Sequence, residues 1–290
     1  MYFTLKYSNT NTYLIKLKDG YMLFDTAWAG TLPLFYRELG EKGVKAGDIK
    51  YLLISHFHPD HMGLAGELQK QGVKIIVAEE QERYIHSADA IFEKEKNKCF
   101  VPIDDKEVEV ISIDDSRNIL KGIGLDGEII YTPGHSDDSI SLILDEGAVF
   151  VGDLNPIYEL ELHKGTEIEK SWNKIFALKP GEINYGHAKK AVLSKEDLDS
   201  LGGKEKPESG GTAINNASAF TRQENTKENA ELYSLVSLIM KYINKGYSLE
   251  KIARKTGAEA EFIEDVTRMY LTHQNVGVQG ILDRIEIKGK

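Results

Sequence analysis

Cysteine is nearly absent. Cys99 stands alone in 290 residues, so no internal disulfide can form, and its simplest place is as an incidental thiol of a reducing compartment. Long apolar runs are missing too: nothing approaches the ~20 consecutive apolar residues that a membrane-crossing helix needs. The opening Met1-Tyr2-Phe3-Thr4-Leu5-Lys6 lacks the basic-then-apolar pattern of an export signal, so a cytoplasmic protein with no membrane partner is expected. Positive charge is in deficit, with 36 Lys+Arg against 46 Asp+Glu and a net charge of −10. Nucleic-acid affinity is built chiefly on neutralising phosphates, so this balance argues against a nucleic-acid partner. No internal repeat is evident. The length suits one large domain and a smaller one.

What is present is concentrated in one place. His56-Phe57-His58-Pro59-Asp60-His61 packs three imidazoles and a carboxylate into six residues, out of eight histidines in the chain. It follows the apolar run Tyr51-Leu52-Leu53-Ile54-Ser55, which reads as a buried strand, and precedes Gly63 to Lys70, which reads as a helix opening. On a strand-to-helix turn these side chains can converge on one point. Imidazole nitrogen and carboxylate oxygen are donors that zinc, iron and manganese accept.

Further donors follow at strand ends. Tyr131-Thr132-Pro133-Gly134-His135 closes an apolar run, Ser139 to Leu144 alternates as a strand, Asp145-Glu146-Gly147 is turn chemistry, and Ala148 to Asp153 returns as a strand. Such a hairpin places His135 and Asp153 at one sheet edge. Glu182 to His187 again puts a histidine just past a short strand. Each of these residues alone is more often structural; beside the six-residue cluster they read as partners.

Together these motifs resemble the metallo-β-lactamase superfamily of metallohydrolases. The resemblance rests on the early aspartate of Leu23-Phe24-Asp25-Thr26, the HxHxDH signature at 56–61, Pro-Gly-His at 133–135, Gly-Asp at 152–153 and Gly-His at 186–187, in the family's order over roughly residues 1–190. It implies an α/β fold of αββα type, two sheets face to face with helices outside, and a binuclear site along one sheet edge. Carried over residue by residue, His56, His58 and His135 would hold one divalent metal and Asp60, His61 and His187 a second, with Asp153 bridging. Zinc is the expected ion, with iron or manganese as alternatives. Asp25 would orient the site from behind, and Asp60 would also be catalytic, aiming a bridging hydroxide. Tyr158 and His163 follow Asp153 closely enough to reach a substrate.

The departures from the family's branches are informative. Its lactonases commonly carry a tyrosine three residues after the bridging aspartate, where this chain has Pro156, and Tyr158 comes two positions late. Its flavodiiron branch replaces the second histidine of the signature with glutamate, and here that position is His58.

The remaining chain maps coarsely. Residues 2–25 read as strands joined at Asp19-Gly20, Thr31–Leu39 as a helix, Lys74–Val77 as a strand, and Glu79–Lys98 as one long polar helix. Glu107–Ile113 and Leu120–Tyr131 read as strands, the latter broken at Asp126-Gly127, and Lys170–Leu178 as a helix stopped by Pro180-Gly181.

The expected organisation is a catalytic domain at 1–199, a polar loop or linker at 200–229, and a helical C-terminal extension at 230–290. Leu232, Leu235, Val236, Ile239, Tyr242 and Ile243 lie at helical spacing and read as a core face. Ser248 to Tyr270 resembles a helix-turn-helix unit turning at Gly257. Its second helix carries Glu259, Glu261, Glu264 and Asp265 against Arg268, which suits packing, or a homodimer through these helices, better than DNA. Residues 205–245 are expected to cover the substrate entrance, with Phe220 offering apolar contact.

The expected function is two-metal hydrolysis of a small-molecule ester, thioester or lactone. The alternatives are a metal-dependent phosphodiesterase, or a metal-sensing regulator that uses the C-terminal hairpin.

Overall fold

The computed structural model describes residues 1–94, 96–201, 227–272, 278, 281 and 282. The chain divides into two compact units, Met1–Thr212 and Ala213–Lys290.

Among the described residues, the first unit holds two sheets. The six-stranded sheet runs β1 (Tyr2–Leu5), β2 (Thr12–Lys16), β3 (Tyr21–Phe24), β4 (Ile49–Leu53), β5 (Lys74–Ala78) and β6 (Val108–Ile111), in that spatial order. The second sheet contains β7 (Gly127–Tyr131), β8 (Ile140–Leu144), β9 (Ala148–Phe150), β10 (Glu182–Asn184) and β11 (Ala191–Val192), ordered β11-β10-β9-β8-β7. Helices α1 (Leu32–Glu41), α2 (Pro59–Met62), α3 (Ala65–Gln69), α4 (Asp89–Lys94), α5 (Ser116–Gly122), α6 (Glu167–Ala177) and α7 (Lys195–Leu201) connect and cover them.

The central strands are buried on both faces, which explains why β2 is buried at four consecutive positions. Tyr13 and Ile15 join Phe24, Leu53, Ile129, Leu142 and Phe150 in the layer between the sheets. Leu14 points the other way, into a layer shared with Phe35 and Leu39 of α1 and Leu68 of α3. The far side of the second sheet is tied to α6, where Trp172 Nε1 donates to Asn155 O at 2.9 Å and Ser171 Oγ to Pro133 O at 2.7 Å. This is an αββα sandwich.

Two secondary-structure expectations for this unit fail, for identifiable reasons. Glu79–Lys98 is not one helix but a 3₁₀ segment, Glu79–Tyr84, followed by the short α4. Its side chains are anchored to other parts of the chain: Gln81 is fully buried, Ser87 Oγ donates to Phe57 O, and His86 pairs with Asp105. The strand expected from Leu120 begins only at Gly127, and Ser116–Gly122 is α5 instead. Ser116/Leu120 and Ile119/Ile123 repeat at i,i+4, and Ser116 Oγ accepts from Ile129 N at 3.1 Å, locking the helix to β7.

The second unit contains α8 (Lys227–Asn244), α9 (Leu249–Thr256) and α10 (Ala260–Thr272). Residues 227–229, expected to be loop, therefore open α8; the remainder of the expected linker from 202, Phe220, and most of the expected cover lie outside the described residues. Val236, Ile239, Ile252, Ile263 and Val266 are fully buried together. Ser248 caps α9 by accepting from Lys251 N, and Gly257 ends it in the left-handed region at φ 72°. Among the described residues no helix is long and apolar enough to cross a membrane.

Candidate metal centre

The sandwich brings the dispersed histidines and acids to one edge. β4 ends at Leu53, and the chain runs on through Ser55 and His56 to His58, the N-cap of α2. Pro59 opens α2, a position where its fixed φ and missing N–H cost nothing. Asp60 and His61 thus sit on this single helical turn, just past the end of β4. β7 and β8 are paired antiparallel and carry His135 in their connection, while Asp153 follows β9 and His187 follows β10, which runs parallel to β9.

Among the described residues three groups of donor atoms result, each within 4.8 Å: His56/His58/His135, His56/His61/Asp153, and Asp60/His61/His187. His58 Nδ1 lies 3.1 Å from His135 Nε2. His61 Nε2 lies 3.2 Å from His187 Nε2, which is 3.0 Å from Asp60 Oδ2. Asp153 lies between the outer groups. Its Oδ1 is 3.3 Å from His61 Nε2 and 3.4 Å from His187 Nε2, and its Oδ2 is 3.6 Å from His135 Nε2.

The proton positions make these short distances informative. His187 Nδ1 faces the Asn9 carbonyl at 2.6 Å and must donate to it; His61 Nδ1 donates to Asp25 Oδ2 at 2.9 Å. In the neutral rings both Nε2 atoms then carry bare lone pairs, directed at each other and at two carboxylates. Such a convergence repels itself unless a cation sits in it. Burial pulls the His61 pKa down, but Asp153, Asp25 and Asp60 outweigh it and hold it well above the ordinary value: the pocket calls for positive charge.

The other cluster shows the complementary signature. Burial, with His61, His58 and His135 nearby, holds His56 well below its ordinary pKa, and burial lowers His58 despite Asp60. Both imidazoles stay neutral, the form that ligates metal. His56 Nε2 is buried without a hydrogen-bond partner, an omission that native interiors seldom tolerate. An ion bonded at about 2.1 Å sets its ligand atoms roughly 3.0 to 3.4 Å apart, and most of the separations above fall there. The donor set fits divalent cations.

Residues 6–187 match the model of the metallo-β-lactamase superfamily. The chain belongs to this superfamily. A probable metallo-hydrolase of Methanocaldococcus jannaschii is 30% identical over 146 residues, covering 50% of this chain and 66% of that protein. A β-lactamase-like protein 2 homolog of Drosophila melanogaster is 28% identical over 190 residues, covering 61% and 58% respectively. The chain thus spans less than two thirds of these curated relatives' own lengths. A metallo-β-lactamase family protein from Thermus thermophilus shares the fold, with a TM-score of 0.55 at 17% identity over 99% of this chain and 94% of that one.

In this superfamily member the supporting residues are ones that sequence reasoning mostly missed. Asp25 was anticipated: it leaves β3 at φ 62°, accepts from Ser55 N at 2.6 Å and Ser55 Oγ at 2.8 Å, and holds His61. Gln81 and Asp138 were not. Gln81 Nε2 donates to Ile54 O, Ser55 O and Asp138 O, while Asp138 Oδ2 accepts from Phe57 N at 2.6 Å. Together they stitch the loop of His56 and His58 to the loop of His135. Thr10 Oγ1 donates to Asp60 O at 2.8 Å, and Thr26 N and Oγ1 donate to His61 O.

Two glycines are steric requirements. A Cβ on Gly152, at φ 55°, would collide with Ser55 Oγ, and one on Gly186 would lie 2.7 Å from both Asp153 Oδ1 and His61 Cε1. Tyr158 and His163 lie on the 3₁₀ segment Ile157–His163 that follows Asp153, with Tyr158 37% exposed.

Proposed function

We propose that this superfamily member is a metal-dependent hydrolase that uses two divalent ions, zinc by preference, on a small-molecule ester, thioester or lactone. The observation that carries the reading is the placement of Asp153, one carboxylate oxygen toward His61 and His187 and the other toward His135. That is the disposition of a ligand shared between two ions. Imidazole and carboxylate donors also suit iron and manganese, so the preference for zinc is a matter for elemental analysis.

When bound, such ions supply Lewis acidity, which makes water nucleophilic near neutral pH and polarises a carbonyl oxygen. The chain's own residues do the rest. His56 and His58 present neutral nitrogens with His135 beside them, and Asp25 and Asn9 fix the rings of His61 and His187 so that each Nε2 faces the centre. Asp60, buried beside His187, accepts a hydrogen bond from the attacking water and aims it at the substrate. The chain's net charge of −10 supports a small or weakly charged substrate over a polyanion.

The test combines elemental analysis with a substrate panel of p-nitrophenyl acetate, an acyl-thioester, a γ-lactone and bis-p-nitrophenyl phosphate. About two metals per chain, with ester-class turnover that a chelator abolishes, is the expected result. A chain that binds one ion and refuses a second would remove the binuclear reading. Fastest turnover of the phosphodiester would move the substrate class to phosphodiesters.

A further inference from the structure

Asp25 is a shared anchor, and what it reaches is set by a serine. Its Oδ2 receives two donors, His61 Nδ1 at 2.9 Å and Ser55 Oγ at 2.8 Å, while Oδ1 receives Ser55 N at 2.6 Å. Ser55 Oγ also lies 2.9 Å from His56 Nδ1, and Ser55, Asp25, His56 and His61 are all buried. A hydroxyl has one proton and an ionised carboxylate has none. The Ser55 proton therefore goes to Asp25, and Ser55 Oγ can only accept from His56. The proton of His56 is thereby fixed on Nδ1, leaving Nε2 bare, the same atom that is buried without a hydrogen-bond partner.

We infer that Ser55 is a positioning residue that fixes the tautomer of His56 and, through Asp25, ties one imidazole of each metal cluster to a single carboxylate. The inference rests on the two-metal reading for its consequence at the clusters, though not for the tautomer itself. His61 reaches Asp25 directly and His56 reaches it only through Ser55. Loss of the hydroxyl therefore weakens the three-histidine cluster alone, whereas loss of the Asp25 charge weakens both. Gly152 belongs to this arrangement: only a residue without a Cβ leaves room for the Ser55 hydroxyl.

The experiment uses the full chain, with ¹⁵N-labelled imidazoles and stepwise zinc affinities from chelator competition. In metal-free wild type the His56 signals should report a proton on Nδ1. Ser55→Ala should lose that fixed tautomer and lower the affinity of the ion that shifts the His56, His58 and His135 signals by roughly 10- to 100-fold. The ion that shifts His61 and His187 should change by no more than about threefold, while Asp25→Asn should weaken both. A His56 proton on Nε2 in wild type would overturn the inference, as would Ser55→Ala affinities that are unchanged or fall equally at both clusters. Failure of the two-metal reading looks different: wild type would bind a single ion while the tautomer result stood.

Discussion

Replacing Gln81 with leucine tests whether the three-histidine cluster is held by the protein before any ion arrives. The side chain is fully buried, and its Nε2 lies 3.0 Å from Ile54 O, 3.2 Å from Ser55 O and 3.0 Å from Asp138 O, while Oε1 accepts from Ala78 N at 3.3 Å. Leucine fills a similar volume but meets none of these groups. Ser55 O keeps its bond from Ile140 N, so the loss falls on Ala78 N, Ile54 O and Asp138 O. At about 1 kcal/mol for each buried group that loses its partner, the expected destabilisation is about 3 kcal/mol. For a unit of this size that corresponds to a fall in Tm of roughly 6–12 °C. Denaturant unfolding of the metal-free chain would measure the first quantity and thermal unfolding the second. The loop bearing His56 and His58 would also lose its tie to the loop bearing His135, so zinc affinity should fall at that cluster. A variant within about 0.5 kcal/mol of wild type and with unchanged zinc affinity would refute the reasoning, because the clamp would then contribute neither stability nor preorganisation.

Four other outcomes are expected. Asp60→Asn keeps the shape of the side chain but removes its charge, so hydrolysis should fall by at least about 100-fold with the fold intact by circular dichroism; near-parental turnover would show that another group aims the water. Gly186→Ala places a methyl 2.7 Å from Asp153 Oδ1 and His61 Cε1, so zinc binding at the Asp60/His61/His187 cluster should drop at least about tenfold in chelator competition. Burial tends to lower the His86 pKa, but its bonds to Asp89 and Asp105 raise it on balance, so these pairings add stability that is full below the ordinary histidine pKa of about 6.5 and is lost as pH rises through the raised value. Unfolding measured from pH 6 to 8 should therefore show a loss of stability in wild type that His86→Ala lacks. Finally, duplex DNA should show no salt-sensitive retention by the full chain at moderate ionic strength, because the second helix of the C-terminal hairpin is predominantly acidic; tight, salt-dependent binding would favour the regulator alternative.

The candidate ligands could be picked from the sequence because metal chemistry draws on few residue types, and HxHxDH compresses four candidate ligands into six positions. The hairpin between Ser139 and Asp153 was legible for a local reason too, since alternation and the Asp145-Glu146-Gly147 turn are both short-range signals. The Ser248 cap and the Gly257 stop of α9 were likewise written within a few residues of the helix they bound.

Tertiary structure decided whatever depends on which strand lies beside which. His61 and His187, 126 positions apart, meet because β10 runs parallel to β9, a pairing that no local pattern specifies. Asn9 fixes His187 through a backbone carbonyl, which has no side-chain signature at all. Gln81 read as one more polar residue on an expected helix. It became a buried clamp only because the ends of β4 and β5 and the His135 loop close around it. Leu120 and its neighbours read as strand in the sequence, and packing of Ser116 against β7 made them helix. The donor types belong to the chain's chemistry; their convergence belongs to the sandwich, whose two buried sheets align strand ends that the sequence keeps far apart.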